Sequence, residues 1–190
     1  MIICKHVGFV QIPKNGGESI RMSLLGSGNE CYYITPVIES GSDIKSLPNR
    51  YRPHLTPDRY APFISSQVKL MTSVRNPWDR YVSWFHWHND NHETEISWEK
   101  FLAHVLNDRS GVVTSQDIYF KGVNYRWIIR FENLAEEWVQ FCEESGIHSP
   151  LPHYNKSTNR KEYREYYSNK QRGLVLKKEG WLIDRFGYTF

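Results

Sequence analysis

No apolar run in this 190-residue chain approaches the ~18 residues that a membrane-crossing helix requires. The opening stretch, Met1-Ile2-Ile3-Cys4-Lys5-His6, lacks the apolar core of a secretory leader. These absences predict a soluble, cytoplasmic protein without an anchor. Cysteine is scarce: Cys4, Cys31 and Cys142 lie far apart, and none has C-x-x-C spacing. An odd count in that pattern predicts free thiols in a reducing compartment. Charge of one sign is not in excess, with 24 basic against 21 acidic residues and a net charge of +3. That balance excludes a general nucleic-acid surface and leaves anionic ligands to local clusters. No repeat or linker divides the chain, so one domain over residues 1–190 is expected. A metal site is not expected either. His86 and His88 stand two apart on a predicted helix, facing different sides. No carboxylate completes a ligand set with them or with His92.

Aromatic residues are plentiful at 15%, with 7 Trp and 12 Tyr. They suit a sugar site, although packing accounts for most of them. The informative stretch is Phe9-Val10-Gln11-Ile12-Pro13-Lys14-Asn15-Gly16-Gly17-Glu18-Ser19-Ile20. It reads as a strand over 7–12, a turn with two glycines, and a helix from 18 to about 25. Glycine permits a tight turn and close approach to a ligand. The first amides of a helix lie at its positive end, so this arrangement can cradle a phosphate or sulfate. It is not a Walker A loop, because Lys14 precedes both glycines. Taken alone, it also fits a tight turn with a solvated lysine.

Further strands are predicted at 31–34, 68–74 and 125–131, with helices over 77–88, 98–107, 134–145, 160–167 and 170–186. Asn76 is placed as a cap with Pro77 at the first helical position, Gly146 as a stop, and Gly173 as a break in the last helix. Strands alternating with helices give an α/β class with a central parallel sheet. Ligands bind such sheets at the carboxyl ends of strands. Residues 13–19 and 75–83 both begin there, which predicts one shared crevice. Loops 36–53, 89–96 and 108–124 are expected to shape a second substrate's site.

The segment from Ile12 to Ile20 resembles the 5′-phosphosulfate loop of sulfotransferases that use 3′-phosphoadenosine 5′-phosphosulfate (PAPS), usually close to I-P-K-T-G-G-T-S-I. Val74-Arg75-Asn76-Pro77-Trp78-Asp79-Arg80-Tyr81-Val82-Ser83 resembles the same family's 3′-phosphate motif, V-R-N-P-[WY]-D-R-x-x-S. Arg130-Phe131-Glu132-Asn133-Leu134 and Asp184-Arg185-Phe186-Gly187-Tyr188 are similar to segments that recur there. The resemblance spans residues 7–190 in order. It is greatest to Golgi carbohydrate sulfotransferases such as the heparan sulfate 2-O type and to their small bacterial relatives. Golgi members carry an anchor that this chain lacks, so a bacterial or viral source is expected.

The resemblance implies a single sulfotransferase domain with a P-loop-like three-layer sandwich, a central parallel sheet flanked by helices. It implies PAPS as co-substrate, no metal, and an acceptor hydroxyl on a carbohydrate. Lys14 would stabilise the leaving group, while Asn15, Gly16, Gly17, Glu18 and Ser19 would bind the 5′-phosphate. Glu18 departs from the usual Thr or Ser, and a carboxylate facing a phosphate repels it. The expectation is that Glu18 points outward and offers only its amide. Arg75 and Ser83 would bind the 3′-phosphate, unless Arg75 merely pairs with Asp79. Arg80 reads as half of a structural ion pair. His54, opening His-Leu-Thr-Pro-Asp, is the expected base, with Glu132 as substitute. Leu151-Pro152-His153-Tyr154-Asn155-Lys156-Ser157 resembles L-P-H-x-N-x-S of relatives, making Asn155 and Ser157 nucleotide contacts. Arg160 and Lys161 add charge near the 3′-phosphate or form a solvated helix start. The alternatives are an inactive nucleotide- or glycan-binding protein, favoured only by Glu18, and an ATP-dependent P-loop kinase, disfavoured by the missing Walker A loop.

Overall fold

A computed structural model describes residues 1–28, 30–34, 54–107, 115–152 and 160–190. In chain order its main elements are β1 (Ile2–Cys4), β2 (Val7–Val10), α1 (Gly17–Gly26), β3 (Cys31–Tyr33), α2 (Pro57–Tyr60), β4 (Lys69–Val74), α3 (Pro77–Asn91), α4 (Trp98–Asn107), β5 (Trp127–Arg130), α5 (Leu134–Ser145) and α6 (Asn169–Phe186). They fall into two units. The first comprises Met1–Val74 with Tyr119–Tyr154, and the second comprises Arg75–Ile118 with Asn155–Phe190.

The first unit is built on a five-stranded sheet of order β3-β1-β2-β4-β5. β2, β4 and β5 run parallel, with Val10 opposite Thr72 and Val74 opposite Arg130. β1 and β3 add an antiparallel edge. The sheet is therefore mixed, and its central strands are parallel as expected. Three-residue β1 is too short to show a period, and only its pairing identifies it. Phe9, Met71 and Ile129 of the parallel strands pack with Ile20 and Leu24 of α1 and with Trp138 and Phe141 of α5. α5 ends at Gly146, whose φ of 68° satisfies the left-handed cap. The Lys5 ammonium donates to the Gly146 carbonyl at 3.1 Å, placing a cation at the negative end of that helix.

A disulfide joins Cys4 to Cys31, and Cys142 alone is a free thiol. This corrects the expectation of three free thiols. The β1–β3 register sets Cys4 directly opposite Cys31, a proximity that sequence spacing does not reveal. The cysteine argument for a reducing compartment falls with it.

The second unit is helical and holds much of the aromatic content. Trp78, Tyr81 and Trp84 of α3 pack with Trp98 and Phe101 of α4 and with Val175 and Ile183 of α6. Asn76 caps α3 by accepting from the Trp78 amide at 3.1 Å, with Pro77 following it. Ser168 and Gln171 form a capping box that opens α6. The expected helix over 160–167 is only a 3₁₀ turn, Tyr163–Tyr166, because Glu162 is extended and caps the Arg164 amide instead. Tyr167 of that segment donates to the Trp78 carbonyl at 2.8 Å, so its role is packing. The break in α6 lies at Glu179 (φ −110°, ψ 16°), not at Gly173. Among the described residues no helix is long and apolar enough to cross a membrane.

Candidate active site

In the first unit, β2 runs into a turn whose backbone is left-handed at Lys14 (φ 68°) and at Gly16 (φ 75°). The space at Gly16 also demands glycine. A Cβ there would lie 2.9 Å from Phe131 Cδ2 and 3.0 Å from Leu134 Cδ2. At Gly17 a Cβ would lie 2.6 Å from Gln11 Cγ. The first intrahelical bond of α1 runs from the Ile20 amide to the Gly16 carbonyl at 3.3 Å. The amides of Gly17, Glu18 and Ser19 precede it, at the positive end of the helix. The geometry suits an anion cradle.

Two neighbours hold the loop. Asn15 is fully buried, and its Nδ2 donates to the Ser73 carbonyl at 2.8 Å, near the end of β4. Its side chain thus tethers the loop to β4. The Glu18 carboxylate is engaged by Arg21, whose Nε donates at 3.0 Å, while Arg21 Nη1 donates to the Tyr33 hydroxyl at 3.1 Å. The Glu18 contact, chiefly, raises the Arg21 pKa above its ordinary value. The carboxylate that departs from the family pattern is therefore neutralised locally.

His54 also belongs to the first unit. Its Nδ1 lies 3.0 Å from the Gln11 carbonyl oxygen. A carbonyl only accepts, so Nδ1 carries the proton and the neutral ring has its lone pair on Nε2. The His54 carbonyl accepts from the buried Tyr119 hydroxyl at 2.6 Å, which fixes the residue from a second side. Gln11 thus touches both the expected base and the Gly17 turn. Glu132, the substitute base, is exposed on the 3₁₀ turn Phe131–Asn133 after β5.

In the second unit, Arg75 directly follows β4. Its Nε donates to Asp79 Oδ2 at 2.7 Å and its Nη2 lies 2.6 Å from the same oxygen. Arg160 forms an ion pair with the other oxygen of Asp79. Two guanidinium groups therefore share one carboxylate. Burial, with the neighbouring Arg75 charge, lowers the Arg160 pKa from its ordinary value. Ser83, 8% exposed, stands four residues beyond Asp79 on α3 and hence on the same helical face. Arg80 is fully buried and pairs with Glu179 at 3.5 Å, the structural role expected of it.

Sequence reasoning missed Gln116 and Glu179 as organisers of this region. Gln116 Oε1 accepts from the Arg75 amide at 3.2 Å, and its Nε2 donates to the Arg75 carbonyl at 2.9 Å. No spacing signal links positions 41 apart. His86 Nε2 lies 2.7 Å from the Tyr166 hydroxyl, and the His88 and His92 rings stack at 4.1 Å. Among the described residues no group of His, Cys, Asp and Glu is arranged to hold a metal. Asn155 and Ser157 lie outside the described residues, as do positions 36–53 and 108–114 of the expected acceptor loops.

Residues 20–142 match the family model described as "Sulfotransferase domain". Among solved structures, the chain is similar to the crystal structure of mouse sulfotransferase SULT7A1 complexed with PAP. The TM-score is 0.58 at 19% identity, over 90% of this chain and 83% of that one. That likeness carries the fold, an α/β P-loop-like architecture in which helices flank central parallel strands. A search of curated proteins gives no significant match.

Proposed function

Because this chain belongs to the sulfotransferase family, we propose that it moves the sulfuryl group of PAPS to an acceptor hydroxyl by in-line displacement, with His54 as base. The observation that carries the choice of donor is the pair Arg75 and Arg160 on the single carboxylate of Asp79. A multiply charged phosphate is the ligand that such paired guanidinium forks favour. PAPS has a 3′-phosphate and ATP does not. Arg75, Arg160 and Ser83 take this phosphate, and the amides of residues 15–19 take the 5′-phosphate. Asn155 and Ser157 are further nucleotide contacts on the family resemblance.

The acceptor oxygen forms a bond to sulfur while the bond from sulfur to the 5′-phosphate oxygen breaks. The electron pair of that broken bond stays on the phosphate oxygen. The Lys14 ammonium stabilises the charge that grows there. The acceptor's proton passes to Nε2 of His54, whose Nδ1–H remains on the Gln11 carbonyl. The acceptor is a carbohydrate hydroxyl on the strength of the sequence resemblance.

Calorimetric titration with adenosine 3′,5′-bisphosphate, AMP and ATP tests the donor. The bisphosphate is expected to bind tightest, and equal or tighter binding of ATP overturns the reading. Radiolabelled PAPS offered with polysaccharides and with simple phenols tests the acceptor, with label expected in the polysaccharide. Labelling of phenols alone removes the carbohydrate reading.

A further inference from the structure

The second unit contains a relay of buried groups that ends on the Arg75 backbone. Glu179, fully buried at the break in α6, accepts from the Ser115 hydroxyl at 3.0 Å and from the Gln116 amide at 3.0 Å. It also accepts from the Tyr81 hydroxyl at 2.9 Å and pairs with Arg80. These contacts fix Gln116 at its own main chain. The Gln116 side chain, likewise fully buried, then bonds both polar groups of the Arg75 main chain. A primary amide that donates to a residue's carbonyl and accepts from its N–H does what a neighbouring strand would do. It supplies that pairing one residue past the end of β4.

Arg75 cannot rotate about its own φ or ψ without breaking one of these bonds. Breaking either gives up a hydrogen bond made in a buried setting. The guanidinium is separately set by Asp79. The residue is thus held at both ends, backbone by Gln116 and side chain by Asp79.

We propose that Gln116 is a positioning residue for the 3′-phosphate, acting through Arg75. This rests on the reading that Arg75 binds that phosphate. Gln116 itself touches no substrate in this scheme. Its effect is on discrimination between nucleotides with and without a 3′-phosphate, not on nucleotide binding in general.

The test compares dissociation constants for adenosine 3′,5′-bisphosphate and AMP in four proteins: wild type, Gln116→Leu, Gln116→Glu and Arg75→Ala. The parent reading stands on wild type and Arg75→Ala alone: wild type prefers the bisphosphate, and Arg75→Ala loses that preference. If it does not, the parent reading fails whatever Gln116 does. Given that preference, Gln116→Leu is expected to weaken the bisphosphate on the order of tenfold or more, while AMP changes little. Gln116→Glu keeps the acceptor for the Arg75 amide but turns an oxygen on the Arg75 carbonyl. It preserves the shape of the side chain and carries the test if the leucine variant does not fold. An intermediate loss of preference is expected from it. Parallel weakening of both nucleotides, or an unchanged preference in the variant that folds, overturns the proposal and makes Gln116 a packing residue. In the Arg75→Ala background, Gln116→Glu is expected to have no further effect on the preference.

Discussion

Asp79 stands one helical turn beyond Arg75 and holds it through Nε at 2.7 Å, while the opposite oxygen of the same carboxylate pairs with Arg160. Asp79→Asn removes the carboxylate charge that the two guanidinium groups share. Such a change costs about 3 kcal/mol where the pair is well buried. The variant is expected to melt lower than wild type and to gain more than wild type when adenosine 3′,5′-bisphosphate is added, because the phosphate replaces the missing charge. Thermal melts with and without the nucleotide check this. An equal gain in both proteins would mean that the phosphate does not bind there.

His54 has its proton placed on Nδ1 by the Gln11 carbonyl. His54→Ala is expected to lower turnover by roughly 10²–10⁴-fold, the range of general base catalysis. Bisphosphate affinity should stay within a factor of about two, since the base meets the acceptor and not the nucleotide. Full turnover in this variant would move the role to another group, with Glu132 the next candidate.

Lys14 occupies a left-handed backbone that favours glycine. Lys14→Gly therefore removes the ammonium and relieves the backbone together. Turnover is expected to fall by about 10²–10³-fold, comparable to loss of one transition-state donor, while the melting temperature stays level or rises. A fall in both would show that the lysine's conformation is not strained by its place in the turn.

Burial, reinforced by the Glu179 charge, pushes the Asp117 carboxyl up from 3.8 to about 6. The fold therefore favours the neutral acid. Its stabilising share is complete below the unfolded value of 3.8 and is lost as pH rises through about 6. Asp117→Asn stays neutral throughout. It is expected to melt higher than wild type at pH 8, with the difference shrinking towards pH 4. A constant difference across that range would remove the titration as its cause.

The bridge between Cys4 and Cys31 closes a loop with a sequence separation of 27. Chain-entropy arguments give such a loop about 3–4 kcal/mol. Guanidinium unfolding with and without a phosphine reductant measures it, with an earlier midpoint expected under reduction. Coincident midpoints would show that the two thiols are unbridged in solution.

Local chemistry made part of this molecule legible from sequence. The Asn76 cap, the Gly146 stop, the span of α5 and the Gly16-Gly17 turn each depend on neighbours within a few residues. The pairing of Cys4 with Cys31, the strand β1 and the clamp of Gln116 on Arg75 depend on partners brought together by folding, and no period in the chain announces them. Gly173 misled for a related reason. A glycine inside a helix permits a break but does not force one, and open space surrounds it in α6. The break falls instead where a buried carboxylate, Glu179, must meet Arg80, Tyr81 and Gln116.

Gln11 fixes the His54 tautomer with its carbonyl, a group that every amino acid carries. Replacing the Gln11 side chain would therefore leave that acceptor in place. Substitution at position 11 is constrained by steric fit against Gly17, while the proton's address on the imidazole is inherited from the path of the main chain. A sequence can drift at this site, and a descendant with another residue there would still present the same ring nitrogen to its substrate.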